Sequence, residues 1–147
     1  METQVLISES YAEKYERRSH SVGISMRHFE WRTKYRYKMF GKEEQRNLVT
    51  ACIRRVGAMH GIKILELNVQ PEHVHCVVGI SLKMSPAQAL QYLKGVSARL
   101  FFKMNQKARL RYPRGHLWSP GKFASSLGFI QIEKAIDYVR NQDLHHA

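Results

Sequence analysis

Two β-rich runs separated by only three residues limit the possible folds of this chain more than any other feature. Residues 62–69 and 73–81 are rich in aliphatic and β-branched side chains, and only Gln70, Pro71 and Glu72 lie between them. A parallel pair needs a crossover of about a dozen or more residues. The two runs therefore predict an antiparallel hairpin, and with it an antiparallel sheet.

One predicted helix lies on each side of this hairpin. Residues 42–60 place apolar side chains at helical spacing, and Gly61 predicts the end of that helix. The second helix begins at Ser85-Pro86, a favoured order for a cap and a first turn, and ends near Met104. Its apolar stripe consists of Ala89, Leu90, Leu93, Val96, Leu100 and Phe101.

The remaining segments complete a βαββαβα order. Residues 22–40 predict a first strand with a basic, aromatic extension, residues 105–120 a loop, residues 122–127 a last strand, and residues 129–142 a final helix after a break at Gly128. Right-handed crossovers then favour an α+β, ferredoxin-like (RRM-like) fold, with two helices on one sheet face plus a C-terminal helix. We expect residues 1–20 to form a tail and residues 21–147 one domain.

Composition indicates the kind of partner. The chain has 24 Lys and Arg against 12 Asp and Glu, a net charge of +12, which predicts binding to a polyanion without separating DNA from RNA. No run is long and apolar enough for a membrane span and no secretory signal is recognisable, so we expect a soluble, cytoplasmic protein. Cys52 and Cys76 are expected to be buried thiols.

His73 and His75 are the first candidates for chemistry. They flank Val74 within a predicted strand, and because side chains alternate between faces, both imidazoles must point to the same side. The pair can hold a metal ion, or it can simply belong to a polar outer face. The second reading is weakened because the rest of the strand is apolar on both faces.

The final helix supplies a tyrosine outside its apolar stripe. Ile132, Ala135, Ile136 and Val139 form that stripe. At about 100° per residue, Tyr138 projects to the rim close to Gln142, one turn further on, with Gln131 on the same side. Spacing alone is compatible with either a packing or a catalytic role for Tyr138.

Five short blocks now point to a known family. They are WRTKYR at residues 31–36, PEHVH at 71–75, LKGVS at 93–97, LWS at 117–119 and YVRNQ at 138–142. In this order the chain resembles the single-tyrosine HUH transposases of insertion sequences that move as single-stranded DNA, the TnpA-like or IS200-like family. The resemblance spans residues 19–142. It departs from the family at Glu72, where members commonly carry Asp.

The resemblance implies a function and its residues. Tyr138 would be the nucleophile, and His73, His75 and Gln142 would hold Mg²⁺ or Mn²⁺. The enzyme would cleave and rejoin single-stranded DNA at hairpin-forming element ends through a 5′-phosphotyrosine, without ATP. It would act as a homodimer associated with the nucleoid. Candidate contacts to the DNA backbone are Arg27, Arg32, Lys34, Arg36, Lys38, Lys103, Lys107, Arg109, Arg111 and Arg114.

The residue content also bears on four other functions. A transposase with a carboxylate-bound metal pair is excluded because the only aspartates are Asp137 and Asp143, and a histidine-triad hydrolase because position 77 is Val. A non-catalytic RRM-type RNA-binding module, stacking bases on Phe29, Trp31, Tyr35 and Tyr37, stays open but leaves the histidines unexplained. A domesticated, repeat-processing nuclease with the same chemistry also stays open.

Overall fold

A computed structural model of the chain describes residues 23–128 and 131–142. The expected N-terminal tail, the first two residues of the expected last helix and the C-terminal residues 143–147 lie outside the described residues. The described elements are β1 (Ile24–Thr33), α1 (Glu43–His60), β2 (Lys63–Gln70), β3 (His73–Ser81), α2 (Pro86–Met104), β4 (Trp118–Ser126) and α3 (Ile132–Arg140), with 3-10 turns at Lys34–Arg36 and Gln106–Leu110.

The four strands form one antiparallel sheet in the order β2-β3-β1-β4. β2 and β3 pair as the predicted hairpin, and β1 lies between β3 and β4. The predicted α+β, ferredoxin-like arrangement is therefore confirmed. Because β1 pairs with both neighbours, its side chains lie at the centre of each sheet face.

Helices α1 and α2 cover one face of the sheet and enclose the main hydrophobic core. Phe29 and Trp31 of β1 point into this core, together with Val74 and Cys76 of β3. Gly61 adopts a left-handed conformation (φ 68°) at the end of α1, and the Ser85 hydroxyl accepts a hydrogen bond from the Gln88 backbone N–H at the start of α2. The two predicted helix boundaries are thus confirmed.

Helix α3 covers the opposite face of the sheet, which we call the α3 face. Ile132, Ile136 and Val139 are buried there and pack against Met26 of β1 and Val77 of β3. This small second cluster seats the helix over the polar side chains of β1 and β3. The predicted apolar stripe of the last helix is confirmed, with Ala135 only partly buried.

The predicted bounds of two elements were wrong. β4 begins at Trp118 rather than at residue 122, because Thr33 pairs with Trp118 beyond an irregularity in the register. The Trp118 indole N–H also donates to the Ser97 hydroxyl at 3.1 Å, which holds the start of the strand against α2. Pro120 is tolerated in β4 because this is an edge strand. Helix α3 begins at Ile132 and ends at Arg140, shorter than predicted.

Two further expectations concern cysteines and membranes. Cys52 and Cys76 are both free and buried, as predicted, and burial raises the pKa of Cys76 to about 12. Among the helices of the described residues, none combines the length and the apolar character that crossing a membrane requires.

Candidate active site

The two histidines of the sequence motif lie side by side on the α3 face. His73 and His75 are 5% and 2% exposed, and their ring centroids are 4.9 Å apart. Strand alternation puts Val74 between them on the opposite face, in the main core. The two imidazoles therefore share one buried site, as the spacing predicted.

Glu72 orients the ring of His73. Its carboxylate lies 3.0 Å from His73 Nδ1, and because a carboxylate only accepts, Nδ1 carries the proton and Nε2 keeps its lone pair. Burial lowers the pKa of His73, and the hydrogen bond and charge of Glu72 oppose this only in part. Burial also acts to raise the pKa of Glu72, but the hydrogen bonds from His73 and from its own backbone, with the charges of His73 and Arg32, outweigh burial and lower that pKa. The resulting neutral imidazole is the form that binds metals.

Glu30 joins the histidines and was missed by sequence reasoning. It stands directly opposite His75 in the pairing of β1 with β3, with its Oε2 3.5 Å from His75 Nε2. One ligand atom from each of Glu30, His73 and His75 lies within 4.8 Å of the others. Arg32 Nη2 lies 3.4 Å from the same Glu30 oxygen. Only the register between strands far apart in sequence could have revealed this carboxylate.

Tyr138 extends from α3 toward this cluster. Its side chain is 41% exposed, and its ring centroid lies 5.8 Å from that of His75 and 6.1 Å from that of His28. The phenol is therefore outside the apolar stripe, as predicted, and both Tyr138 and the histidines belong to a single chain here. His28 also stacks on His75 at 5.7 Å, and burial lowers the pKa of His28 against the opposing charge of Glu30.

Gln142 is not on the rim. Its side chain is fully buried, and neither amide atom has a hydrogen-bond partner among the described residues. The projection from helical spacing failed because α3 ends at Arg140 and Asn141 leaves the helical geometry (φ −98°, ψ 24°). A buried amide without partners is costly, and a ligand such as a metal ion would satisfy it.

Polar contacts from β2 hold α3 in place. The Asn68 side-chain amide donates to the Val139 carbonyl at 2.9 Å and to the Arg140 carbonyl at 3.4 Å. Arg140 also forms an ion pair with Glu66 at 2.9 Å. These bonds satisfy carbonyls at the helix end, which otherwise lack partners within the helix. The position of Tyr138 thus depends on contacts at the C-terminal end of α3.

Comparison with known proteins identifies the family. The profile of the family described as "Transposase IS200 like" matches residues 21–142. The chain belongs to this family. The IS200-like transposase is also 26% identical over 127 residues to the transposase for insertion sequence element IS200 of Salmonella typhimurium, covering 80% of this chain and 82% of the relative. The chain is therefore a DNA transposase of an insertion-sequence family.

Solved structures of similar proteins share the fold of the IS200-like transposase. A crystal structure of a protein from Deinococcus radiodurans R1, described as a transposase, superimposes with a TM-score of 0.63 at 26% identity, covering 80% of this chain and 89% of that one. A REP-associated tyrosine transposase bound to a REP hairpin also gives a TM-score of 0.63, at 16% identity, covering 84% and 68%. The second likeness concerns the fold alone.

The candidate DNA-contacting residues of this transposase are distributed over several surfaces. Arg32 and Arg36 line a cleft beside Glu30, Lys34 lines a groove near Trp118, and Lys103 and Arg109 line a groove along α2. Lys38, Lys107, Arg111 and Arg114 are exposed on connecting segments. Arg27 donates to the Ser25 hydroxyl and Arg109 to the carbonyls of Tyr112 and Pro113, so both also have structural partners.

Two of the four aromatic residues considered for base stacking are buried and not available for it. Phe29 and Trp31 are 0% and 1% exposed beneath α1 and α2. This burial removes the central platform that an RRM-type module of this transposase fold would need. Tyr112 is only 1% exposed, and burial raises its pKa to about 12, so it is poorly placed to act as a nucleophile. Tyr35 remains exposed on the turn after β1.

Proposed function

We propose that this transposase cleaves and rejoins single-stranded DNA through a covalent bond between Tyr138 and a 5′ phosphate. The single observation that supports this most is the half-exposed Tyr138 phenol, whose ring lies 5.8 Å from that of the buried His75. A nucleophile must be accessible to its substrate, whereas a metal-binding pair of histidines is best shielded from solvent. The two lie next to each other on the α3 face.

The donor set fits a divalent cation. His73 would offer Nε2, because Nδ1 is bound to Glu72, while Glu30 would add a carboxylate oxygen beside His75. Gln142 would add its otherwise unpartnered amide oxygen. Two imidazoles with two oxygens suit Mn²⁺ well and admit Mg²⁺ with further oxygens from phosphate and water. When bound, such a cation supplies charge that stabilises the non-bridging oxygens of the scissile phosphate.

The chain's own part in the reaction is nucleophilic. The Tyr138 phenol gives up its proton as its oxygen bonds to phosphorus, the bond from phosphorus to the 3′ oxygen breaks, and that oxygen takes up a proton. The phosphotyrosine linkage is itself a phosphodiester that replaces the broken one. A 3′ hydroxyl of another strand can therefore reverse the step without ATP. Phenol, with a pKa near 10, is an adequate leaving group for that reversal.

The decisive test is the substitution Tyr138→Phe. We expect it to abolish the protein–DNA adduct that a denaturing gel would show with single-stranded DNA and Mn²⁺, while DNA binding stays intact. The matched control is Tyr92→Phe, which should still form the adduct. Tyr92 lies on α2, on the other side of the sheet from Tyr138. An adduct that persists in Tyr138→Phe would exclude Tyr138 as the nucleophile.

The proposed ligands can be tested without catalysis. His73→Ala and His75→Ala should weaken Mn²⁺ binding in a titration followed by electron paramagnetic resonance, and both should lose metal-dependent cleavage. Gln142→Ala should weaken binding less, because a neutral amide contributes less than an imidazole. If all three variants bound Mn²⁺ like the unmodified protein, the proposed ligand set would be wrong.

A repeat-processing role with the same chemistry is the second candidate. It is favoured by the fold neighbour that is bound to a REP hairpin. For either role we propose hairpin-forming single strands as the DNA partner. A homodimer also remains a proposal, although Tyr138 and His75 already meet within one chain. Light scattering of the protein with and without a hairpin oligonucleotide would measure the assembly.

A further inference from the structure

An open cleft of about 570 Å³ lies next to the histidine cluster, between β1, β4 and the turn after β1. Its volume falls within the range of about 300–1,000 Å³ that is usual for small-molecule sites. Glu30 belongs both to the cleft and to the candidate metal cluster, so the two are continuous. The side chains that give the cleft its character are Glu30, Arg32, Tyr35, Arg36, Lys122 and Phe123.

Phe123 is the most informative residue of the cleft. It lies on the edge strand β4, pairs opposite Glu30, and is 50% exposed. Its ring meets the His28 ring in an edge-to-face arrangement, with the ring centroids 5.5 Å apart, so Phe123 lies on the same face as His75 and Tyr138. Half of a large apolar ring therefore stays open to the cleft. A planar, apolar partner could cover that surface.

The turn after β1 contributes a second exposed ring in a strained backbone. Tyr35 and Arg36 have φ values of 62° and 55°, which non-glycine residues rarely adopt. The turn is held there because the Thr33 hydroxyl donates to the Tyr37 carbonyl at 2.7 Å and the Lys34 backbone N–H donates to the Leu117 carbonyl at 2.8 Å. Strain maintained in this way is concentrated at functional sites. Tyr35 is left 58% exposed on the cleft wall.

The charge of the cleft selects an anion. Arg32, Arg36 and Lys122 line it, with Glu30 as the carboxylate at the end nearest the histidines. Arg36 and Lys122 are exposed, while Arg32 is already within 3.4 Å of Glu30. Exposed rings interleaved with cations match the chemistry of an unpaired nucleotide, which presents a flat base and a phosphate.

We propose that this cleft binds an unpaired nucleotide of the DNA strand that flanks the scissile phosphate. The base of this nucleotide stacks on the Phe123 ring, and the backbone phosphates beside it lie against Arg36 and Lys122. The inference rests on the proposed function, because that function places the scissile phosphate at Tyr138. Glu30 lines both the cleft and the histidine cluster, so a strand bound in the cleft can extend to Tyr138. Stacking accepts any base, so the cleft would hold the strand without reading its sequence.

The test measures stacking in the absence of cleavage. The full chain with Tyr138→Phe is titrated, in EDTA, with a single-stranded oligonucleotide that carries 2-aminopurine at successive positions. We expect fluorescence quenching at one position, and Phe123→Leu in that background should remove the quenching and weaken binding about tenfold, as expected for one lost base stack. Phe123→Tyr should restore both. Met59→Ala, which removes a similarly exposed apolar side chain (55%) from α1, is the control and should change neither.

A substrate with an abasic site at the quenched position adds a second check. The protein that retains Phe123 and the Phe123→Leu variant should bind this substrate with equal affinity, because no base remains to stack. Unchanged quenching in Phe123→Leu, or a tenfold difference that persists on the abasic strand, would overturn the proposal.

The phosphate contacts have a separate signature. Lys122→Gln should reduce the slope of log K against log salt by about 0.7, the value for one phosphate on a single strand, whereas Phe123→Leu should leave the slope unchanged. Lys83→Gln, an exposed lysine beyond the end of β3, is the control. Equal slopes in Lys122→Gln and the unmodified protein would contradict the assigned phosphate contact.

Failure of this inference is distinguishable from failure of the proposed function. The binding measurements use uncleaved DNA without metal, so they do not depend on the nucleophile. Loss of quenching in Phe123→Leu would support the cleft even if the adduct proved to involve another residue. Conversely, an adduct at Tyr138 with no effect of Phe123→Leu would retain the chemistry and discard the stacking site.

Discussion

Glu30 shows how much one side chain adds to the site. It is a carboxylate placed between an imidazole and a guanidinium, 3.5 Å from His75 and 3.4 Å from Arg32. It would give the paired imidazoles the hard oxygen ligand that Mg²⁺ and Mn²⁺ prefer.

The substitution Glu30→Gln should therefore weaken Mn²⁺ binding by about ten- to a hundredfold, because it removes the negative charge while keeping the shape. Calorimetric titration of the unmodified and substituted proteins would measure this. Glu44→Gln, at the exposed first turn of α1, is the control and should bind Mn²⁺ normally. An unchanged affinity for Mn²⁺ in Glu30→Gln would mean that the carboxylate pairs with Arg32 and is not a metal ligand.

At the scale of elements, α3 depends on the sheet for its stability. A helix of nine residues is too short to be stable alone in water, so its position comes from tertiary contacts. Its buried stripe has three residues, and its C-terminal carbonyls are held by Asn68. The same contacts determine where the Tyr138 phenol stands.

We expect Asn68→Ala to loosen α3 without unfolding the domain. Loss of the hydrogen bond to the Val139 carbonyl should cost about 1 kcal/mol, which corresponds to about fivefold less protection of the α3 amides in hydrogen exchange. Adduct formation should slow in parallel. Asn47→Ala, on the exposed surface of α1, should leave α3 protection unchanged. Full protection of α3 in Asn68→Ala would show that the apolar stripe suffices.

The whole molecule carries a net charge of +12, and its candidate DNA contacts occupy more than one surface. Binding of a polyanion to such a molecule is expected to be governed by counterion release. The cleft at β1 and β4 would hold one end of a strand, and the groove along α2, lined by Lys103 and Arg109, would contact DNA further away.

Binding of single-stranded DNA should consequently fall steeply with salt. Contact with four phosphates would give a slope of about −3 in log K against log salt, which is about a fiftyfold loss between about 0.05 and 0.2 M salt. Fluorescence anisotropy at several salt concentrations would measure the slope. Lys103→Gln should reduce it by about 0.7, whereas Arg54→Gln on α1 should not. A flat salt dependence would exclude the phosphate contacts altogether.

Local pattern sufficed for the order of elements in this protein. The short connection at residues 70–72 required a hairpin, Gly61 and Ser85 marked helix ends, and alternation put His73 and His75 on one side. Each of these follows from the geometry of neighbouring residues, which is why the sequence alone was enough. The family resemblance likewise depended on short blocks whose order is visible in the chain.

Tertiary structure alone decided the contacts between distant segments. Glu30 meets His75 only through the register of β1 against β3, and Gln142 is buried although its spacing from Tyr138 predicts a place on the rim. Phe123 joins the same face because the register of β4 against β1 places it directly opposite Glu30. Register and docking depend on how whole faces pack together, and local spacing does not encode that packing.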